Sequence, residues 1–357
     1  MTHGNISFDL GGRTVGGTAP CVVIAEAGVN HNGDPSLAER LIDVAADARA
    51  DIVKFQTFDP DALAGPGAAM AEYQANALGD TRSQLEMLRG LTLPLSAYER
   101  LIAHANARGI RFLSTPFDPK SADFLEKLGV AAFKISSGDL TNTPLLAHIA
   151  RKRRPMLVST GMGTMGETAA ALDAIRCAGA PPVALFHCVS NYPTDASDCN
   201  LRAMNALSTA FGVPVGWSDH TMGIEVSVAA VALGAKLIEK HVTLDRTMPG
   251  PDHKASLEPK ELSSLVESVR RVESALGDGI KVPRPAEAPV ALIARRSLHW
   301  ARSLDAGAIV KHEDVVVLRP STGIAPSALE WVVGRSVRRP VKAGDPITTP
   351  DVVEESR

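Results

Sequence analysis

Two consecutive apolar runs end on a histidine set among charges. VGWSDHTMGIE (215–225) carries Ser218, Asp219 and His220, and the following EVSVAAVALGAKLIEKHVT closes on Glu239, Lys240 and His241. Imidazoles at the ends of neighbouring extended segments can face one spot, where a pair of them suits a divalent metal. Other apolar runs finish in the same polar way. Glu26 ends CVVIAE, Lys54 and Gln56 lie in DIVKFQT, and Ser114 and Thr115 end IRFLST. Lys134 lies in AAFKIS, followed by Ser136 and Ser137; Ser159 and Thr160 end PMLVST, and His187 lies in PVALFHC. Two lysines with several hydroxyls form a compact cationic cradle for a phosphate or a phosphorylated carboxylate. Glu26, and Asp252 in MPGPDHKASLEP, offer carboxylates for proton transfer or for holding sugar hydroxyls. Singly, a strand-end lysine is more often solvated or ion-paired, and a histidine more often a hydrogen-bonded structural residue. Convergence of the set is what argues for chemistry. His187 and Cys188 read better as support or core. The glycines of STGMGTMGE lack the GK[ST] ending of a phosphate loop and read as a turn.

Something must bring these residues together. The extended runs are eight in number, at 21–26, 51–57, 110–115, 131–136, 155–160, 182–188, 213–218 and 236–243. They alternate with amphipathic segments such as PSLAERLIDVAADARA, where Leu37, Leu41, Ile42 and Ala45 fall at helical spacing. Eight strand–helix units over about 250 residues predict an α/β fold, a (β/α)8 TIM barrel, with its active face at the C-terminal strand ends. The long gap between Thr57 and Ile110 reads as a loop and a helical excursion, PDALAGPGAAMAEYQANALGD, before SQLEMLRGL; such loops shape pockets. ISFDLGGRTVGG reads as a small hairpin closing the barrel floor. After PKELSSLVESVRRVESALGDG, the last barrel helix, the Pro-rich and charged IKVPRPAEAPV marks a domain boundary. The expected division is a catalytic barrel over 1–280, a linker over 281–294 and a small β-rich module over 295–357. That module is near the lower size limit for independent stability and is expected to pack on a partner surface.

Composition narrows the function classes. The chain is 45% hydrophobic but only 4% aromatic, so its core must rest on Ala, Val, Leu and Ile. A net charge of -3 argues against general nucleic-acid binding, while leaving room for a local basic pocket. Cys21, Cys177, Cys188 and Cys199 form no CxxC pair and read as buried thiols in a reducing compartment. No run approaches the ~20 apolar residues that span a bilayer. MTHGNISFDLGG shows no basic stretch leading into an apolar one, so a soluble, cytoplasmic protein is expected.

Nine motifs in order, IAEAGVNHNGD, VKFQTF, FLSTPFD, KISSGD, LVSTGMGT, HCVSNYPT, WSDHTMG, IEKHVTLDR and GPDHKASLEP, resemble the sialic acid synthase family. The likeness covers almost the whole chain, since residues from about 295 resemble that family's C-terminal antifreeze-like (SAF, β-clip) domain. It implies an enzyme that condenses phosphoenolpyruvate with an N-acylated amino-mannose. It further implies that His220 and His241 hold manganese or magnesium, and that Lys54, Thr115, Lys134, Ser137, Ser159 and Ser218 bind phosphoenolpyruvate. Glu26, Gln56, Tyr192 and Asp252 would surround the sugar, with Glu26 also a candidate base. Arg319, in VLRPSTGIAP, would reach the partner's barrel in a domain-swapped homodimer and meet the N-acyl group. Family members often carry Asn where this chain has Ser190, with Asn191 next, and either could make that contact to phosphoenolpyruvate.

The expected chemistry is attack of the enol carbon on the sugar aldehyde, polarised by the metal, followed by addition of water and loss of phosphate with C–O cleavage. MAEYQANALGDTRSQLEMLRGL resembles the sialate and legionaminate branches more than the pseudaminate one. N-Acetylmannosamine, giving N-acetylneuraminate, is the first expected acceptor, and a 2,4-diacetamido-2,4,6-trideoxymannose, giving legionaminate, the second. An enzyme using a phosphorylated sugar would need a further basic cluster, for which only Lys240 is at hand. A non-catalytic carbohydrate-binding protein would leave the polar strand ends unexplained.

Overall fold

The computed structural model describes residues 6–79 and 82–353, and the chain divides into two compact units at Gly277. The first unit is built on eight strands: β1 (Val22–Gly28), β2 (Ile52–Thr57), β3 (Arg111–Pro116), β4 (Phe133–Ile135), β5 (Met156–Ser159), β6 (Val183–Cys188), β7 (Val215–Asp219) and β8 (Leu237–His241). Their parallel ladders run in the order β3-β2-β1-β8-β7-β6-β5-β4, and β3 packs beside β4 to complete the round. The expected barrel is therefore present.

Local signals account for the helices around it. Pro35–Asp47 starts at Asp34, whose carboxylate accepts from the Ser36 amide at 2.7 Å, with Pro at the first turn. It buries Ala38, Leu41, Ile42 and Ala45 as one stripe. Pro259–Leu276, the last barrel helix, does the same with Leu262, Leu265, Val266 and Val269.

Strand side chains alternate between two layers. Val23, Ala25, Val53, Phe55, Val158 and Trp217 point to the helices, whereas Val22, Ile24, Ile52, Leu113, Leu157, Phe186 and Leu237 fill the barrel. Ser7–Asp9 and Thr14–Gly16 pair antiparallel, and their Leu10 and Val15 join that inner cluster as a floor, as the hairpin reading expected. Gly216 in β7 gives Phe186 its place, since a Cβ there would sit 2.9 Å from the ring.

The excursion after β2 contains helices Pro60–Leu63, Glu72–Leu78 and Gln84–Gly90. Phe58, Leu85, Met87, Leu88 and Leu91 form a satellite core with Val29 there; Asp80 and Thr81 of this segment lie outside the described residues.

The second unit begins at Asp278, three residues inside the span expected for the barrel, and takes in the whole segment expected as a linker, which carries a short helix, Ala288–Ala294. Ser297–Trp300 pairs antiparallel with Val315–Leu318, and Ser336–Val337 with Val352–Val353. Leu298, Trp300, Val310, Val332, Val337, Val341 and Ile347 form its core. Arg319 directly follows Leu318 and is exposed. Among the described residues no helix is long and apolar enough to cross a membrane.

Candidate active site

The inner face of each strand is apolar at its start and polar at its end. On β1 the inward series is Val22, Ile24, Glu26; on β2 it is Ile52, Lys54, Gln56; on β8 it is Leu237, Glu239, His241. Thr115, Lys134, Ser159, Cys188, Ser218 and His220 continue the pattern around the barrel. Together they line a narrow cavity of about 70 Å³. A larger hollow of about 290 Å³ opens at the opposite end beside Pro214 and Leu233. Its one lysine, Lys236, is already bound to the Gly17 carbonyl at 2.9 Å, so the chemistry belongs to the narrow mouth.

Two ammonium groups and two carboxylates share that mouth, all buried. Glu26 and Lys54 face each other across the β1–β2 ladder with Nζ 2.7 Å from Oε2. Lys54 also donates to Thr115 Oγ1 at 3.0 Å and lies 3.7 Å from Glu239. Lys134 donates to Ser159 Oγ at 2.6 Å, lies 3.3 Å from Glu239 and sits 5.2 Å above the Phe186 ring. Ser218 donates to Glu239 at 2.9 Å. Burial alone would neutralise all four groups. Burial does push Glu26 up to about 7, Lys54 opposing it incompletely. Burial also acts on Glu239, but Lys134 and Lys54 on either side overcome it and hold that carboxyl down. Lys54 likewise stays above its ordinary value despite burial, because Glu239 and Glu26 flank it. For Lys134 burial wins, with Glu239 resisting, and its affinity for a proton is lowered.

The imidazoles of His220 and His241 lie with ring centroids 5.6 Å apart, and Tyr192 packs 4.0 Å from the first and 5.6 Å from the second. His220 Nδ1 is 2.6 Å from the Val189 carbonyl, which can only accept. The proton therefore sits on Nδ1, and Nε2 keeps a free lone pair, the arrangement of a metal-binding histidine. Burial pushes His220 down to about 4, and burial together with His220 pushes His241 well below its ordinary value. Both rings are neutral near pH 7, as metal ligation requires. His241 Nδ1 is buried without a hydrogen-bond partner, 3.9 Å from Asp252, whose carboxyl burial raises to about 6. Among the described residues no three His, Cys, Asp or Glu side chains gather as a cage. The residues present fit a two-imidazole site that leaves the rest of an ion's coordination to substrate and solvent.

The structure brings Glu26, Lys54, Gln56, Thr115, Lys134, Ser137, Ser159, Tyr192, Ser218, His220 and His241 to one cavity, with Asp252 behind His241. Arg319 belongs to the second unit. Several polar strand ends face the helices instead. Ser114 is bonded to Thr57 at 2.7 Å, His187 to the Cys199 carbonyl at 2.8 Å, and Lys240 is wholly buried against Asp219. Thr160 bonds the Phe186 carbonyl at 2.9 Å. Cys177 is exposed near the end of its helix, while the other three thiols are buried. Two contributors were not expected to line the cavity: Glu239, central to the charge cluster, and Cys188, read from the sequence as support or core, which lies 3.1 Å from Ser137 Oγ. Gly161 completes the wall; its amide donates to Ser137 Oγ at 3.1 Å, and a Cβ there would come within 2.4 Å of Ser190 Oγ. Thr164 and Glu167 cap the next helix reciprocally, which agrees with a turn at STGMGTMGE.

A TIM barrel whose mouth sets two buried lysines against two carboxylates, with two neutral imidazoles beside them, is the framework of an anion-handling enzyme. A model of the NeuB family matches residues 41–281, and one of the SAF domain matches 295–353. The chain belongs to the NeuB family. It is 45% identical over 333 residues to N,N'-diacetyllegionaminic acid synthase of Legionella pneumophila, covering 92% of this chain and 94% of that protein. It is 46% identical to the Campylobacter jejuni protein of the same description, covering 88% and 95% respectively. The crystal structure of N-acetylneuraminic acid synthetase from Leptospira borgpetersenii, in complex with citrate, superposes with a TM-score of 0.72 at 35% identity, covering 81% of this chain and 96% of that one.

Proposed function

We propose that the protein condenses phosphoenolpyruvate with an N-acylated amino-mannose and water, giving a nonulosonic acid and phosphate. One observation carries this reading: Lys54 and Lys134, both buried, converge with Thr115, Ser159 and Ser218 beside two neutral imidazoles. The ammonium groups neutralise the phosphate and carboxylate of phosphoenolpyruvate, with hydroxyls of Thr115, Ser137, Ser159 and Ser218 fixing its orientation. Ser190, half-buried beside Gly161, takes the remaining polar contact in preference to the exposed Asn191. The enol carbon then bonds to the aldehyde carbon of the open-chain sugar. Water adds to the adjacent carbon, and phosphate departs with its bridging oxygen. Glu26, poised near neutral pH, accepts a proton or holds a sugar hydroxyl with Gln56, while Tyr192 and Asp252 border the sugar. A divalent ion, manganese or magnesium, held by His220 and His241 would supply Lewis acidity at the aldehyde.

For the acceptor we place 2,4-diacetamido-2,4,6-trideoxymannose beside N-acetylmannosamine, and the descriptions of the two bacterial relatives favour the former. Among the described residues no cation besides Lys54 and Lys134 lines this mouth for a sugar phosphate, and Lys240 faces away, bound to Asp219. We also propose a homodimer in which Arg319 of a second copy meets the N-acyl group. Phosphate release is to be measured with phosphoenolpyruvate, Mn²⁺ and each amino sugar. Turnover with a non-phosphorylated N-acyl amino-mannose is expected, and no release with any such sugar rejects the proposal.

A further inference from the structure

His220 and His241 each follow a residue of opposite charge, Asp219 and Lys240, and these two neighbours are Cα partners across the β7–β8 ladder. Strand alternation sends them to the helix side while the imidazoles face the cavity. There Lys240 Nζ meets Asp219 Oδ2 at 2.9 Å, and neither side chain has any solvent exposure. The carboxylate is saturated: Oδ2 also accepts from Ser227 Oγ at 2.6 Å, and Oδ1 from the Thr221 amide at 2.9 Å and hydroxyl at 2.8 Å. Lys240 additionally donates to the Thr221 carbonyl at 2.5 Å. Thus the residue after His220 is held through both its amide and its carbonyl, and the carbonyl is tied to the residue before His241.

Stability alone does not account for such a pair, because a buried salt bridge gains little over apolar residues of similar volume once desolvation is included. What it does provide is a fixed spacing between two strand ends, and ligand sites depend on supporting contacts held to fractions of an ångström. We propose that Asp219 and Lys240 are positioning residues that set the two imidazoles of the site for a shared divalent ion. This rests on the metal assignment made above.

The test is Mn²⁺ binding by the metal-free protein, followed by the electron paramagnetic resonance of free Mn²⁺, alongside thermal unfolding. Wild-type protein should bind Mn²⁺, and His241→Ala should not; failure of wild type to bind would remove the metal assignment and this proposal together. The apolar double variant Asp219→Leu/Lys240→Met should stay folded and bind at least about tenfold more weakly, the size of supporting-contact effects on metal affinity. Ser227→Ala, which removes one contact to Asp219, should weaken binding by a smaller factor. A folded double variant with wild-type affinity overturns the positioning role and leaves the metal assignment intact. Should the double variant not fold, unchanged affinity in Ser227→Ala and in Lys240→Gln would overturn it equally.

Discussion

Glu239→Gln tests the charge cluster where it is most exposed to failure. The substitution keeps shape and removes one negative charge lying 3.3 Å from Lys134 and 3.7 Å from Lys54. At an effective dielectric of about 20 these contacts are worth roughly 5 and 4.5 kcal/mol before desolvation is counted. Desolvation of the carboxylate offsets much of that, and removing one partner of a buried pair costs about 3–5 kcal/mol. A urea titration without ligand should show a loss of that order. A second consequence concerns protons. Burial already lowers the proton affinity of Lys134, and Glu239 is the main opposing influence. Without it the ammonium gives up its proton more readily, yet the anionic ligand needs that proton back. Phosphoenolpyruvate binding should therefore take up more protons in the variant than in wild type. Calorimetry in two buffers of different ionisation enthalpy reads this number directly. A variant that loses less than about 1 kcal/mol and shows the wild-type proton count would refute the placement of Glu239 between two charged lysines.

His241→Ala should abolish metal-dependent turnover, measured as phosphate release with and without Mn²⁺; full activity would remove the metal role. His220 is held at about 4 against an ordinary 6.5, so the folded state gives up its proton where the unfolded state keeps it. Stability should fall as pH drops from 6.5 toward 4, by roughly 3 kcal/mol from this group, and His220→Asn should show a shallower slope in urea titrations. Gly161→Ala puts a methyl 2.4 Å from Ser190 Oγ and 2.7 Å from Ser137 Oγ, so KM for phosphoenolpyruvate should rise with little change in Tm; an unaltered KM would place the ligand elsewhere. Mixing Lys134→Ala with Arg319→Ala subunits should restore activity if Arg319 serves the partner's barrel, whereas two inert proteins that stay inert when mixed would speak for action within one chain.

How much of this was legible from residues follows from the period of a strand. The eight runs could be read because parallel strands buried on both faces are nearly continuous apolar segments. Their order around the barrel followed from the alternation with helices. The floor hairpin was legible from its turn, and Leu10 and Val15 fill the inner layer as such a plug must. Polarity at the strand ends located the mouth, but polarity alone does not choose a face. Ser114, His187 and Lys240 sit one position from Thr115, Cys188 and His241, and that single step turns each toward the helices. Counting by two from the apolar residues of the inner layer would have separated them: Leu237 leads to Glu239 and His241 and past Lys240, and Phe186 leads to Cys188 and past His187. Glu239 was passed over for this reason, although it stood in the same short stretch as the histidine that drew attention.

That same counting explains why charges of both signs crowd the ends of β7 and β8. An inward carboxylate between two lysines keeps the mouth near neutrality before an anionic ligand arrives, avoiding bare buried ammonium groups. An outward pair, Asp219 with Lys240, closes the other face of the same two strands without exposing either charge. The two clusters are separated only by the strand backbone, so each needs its own internal partners. A swap of Lys240 with Glu239 in the sequence would keep the composition and destroy both: Asp219 would then face a second carboxylate, and the cavity a third ammonium.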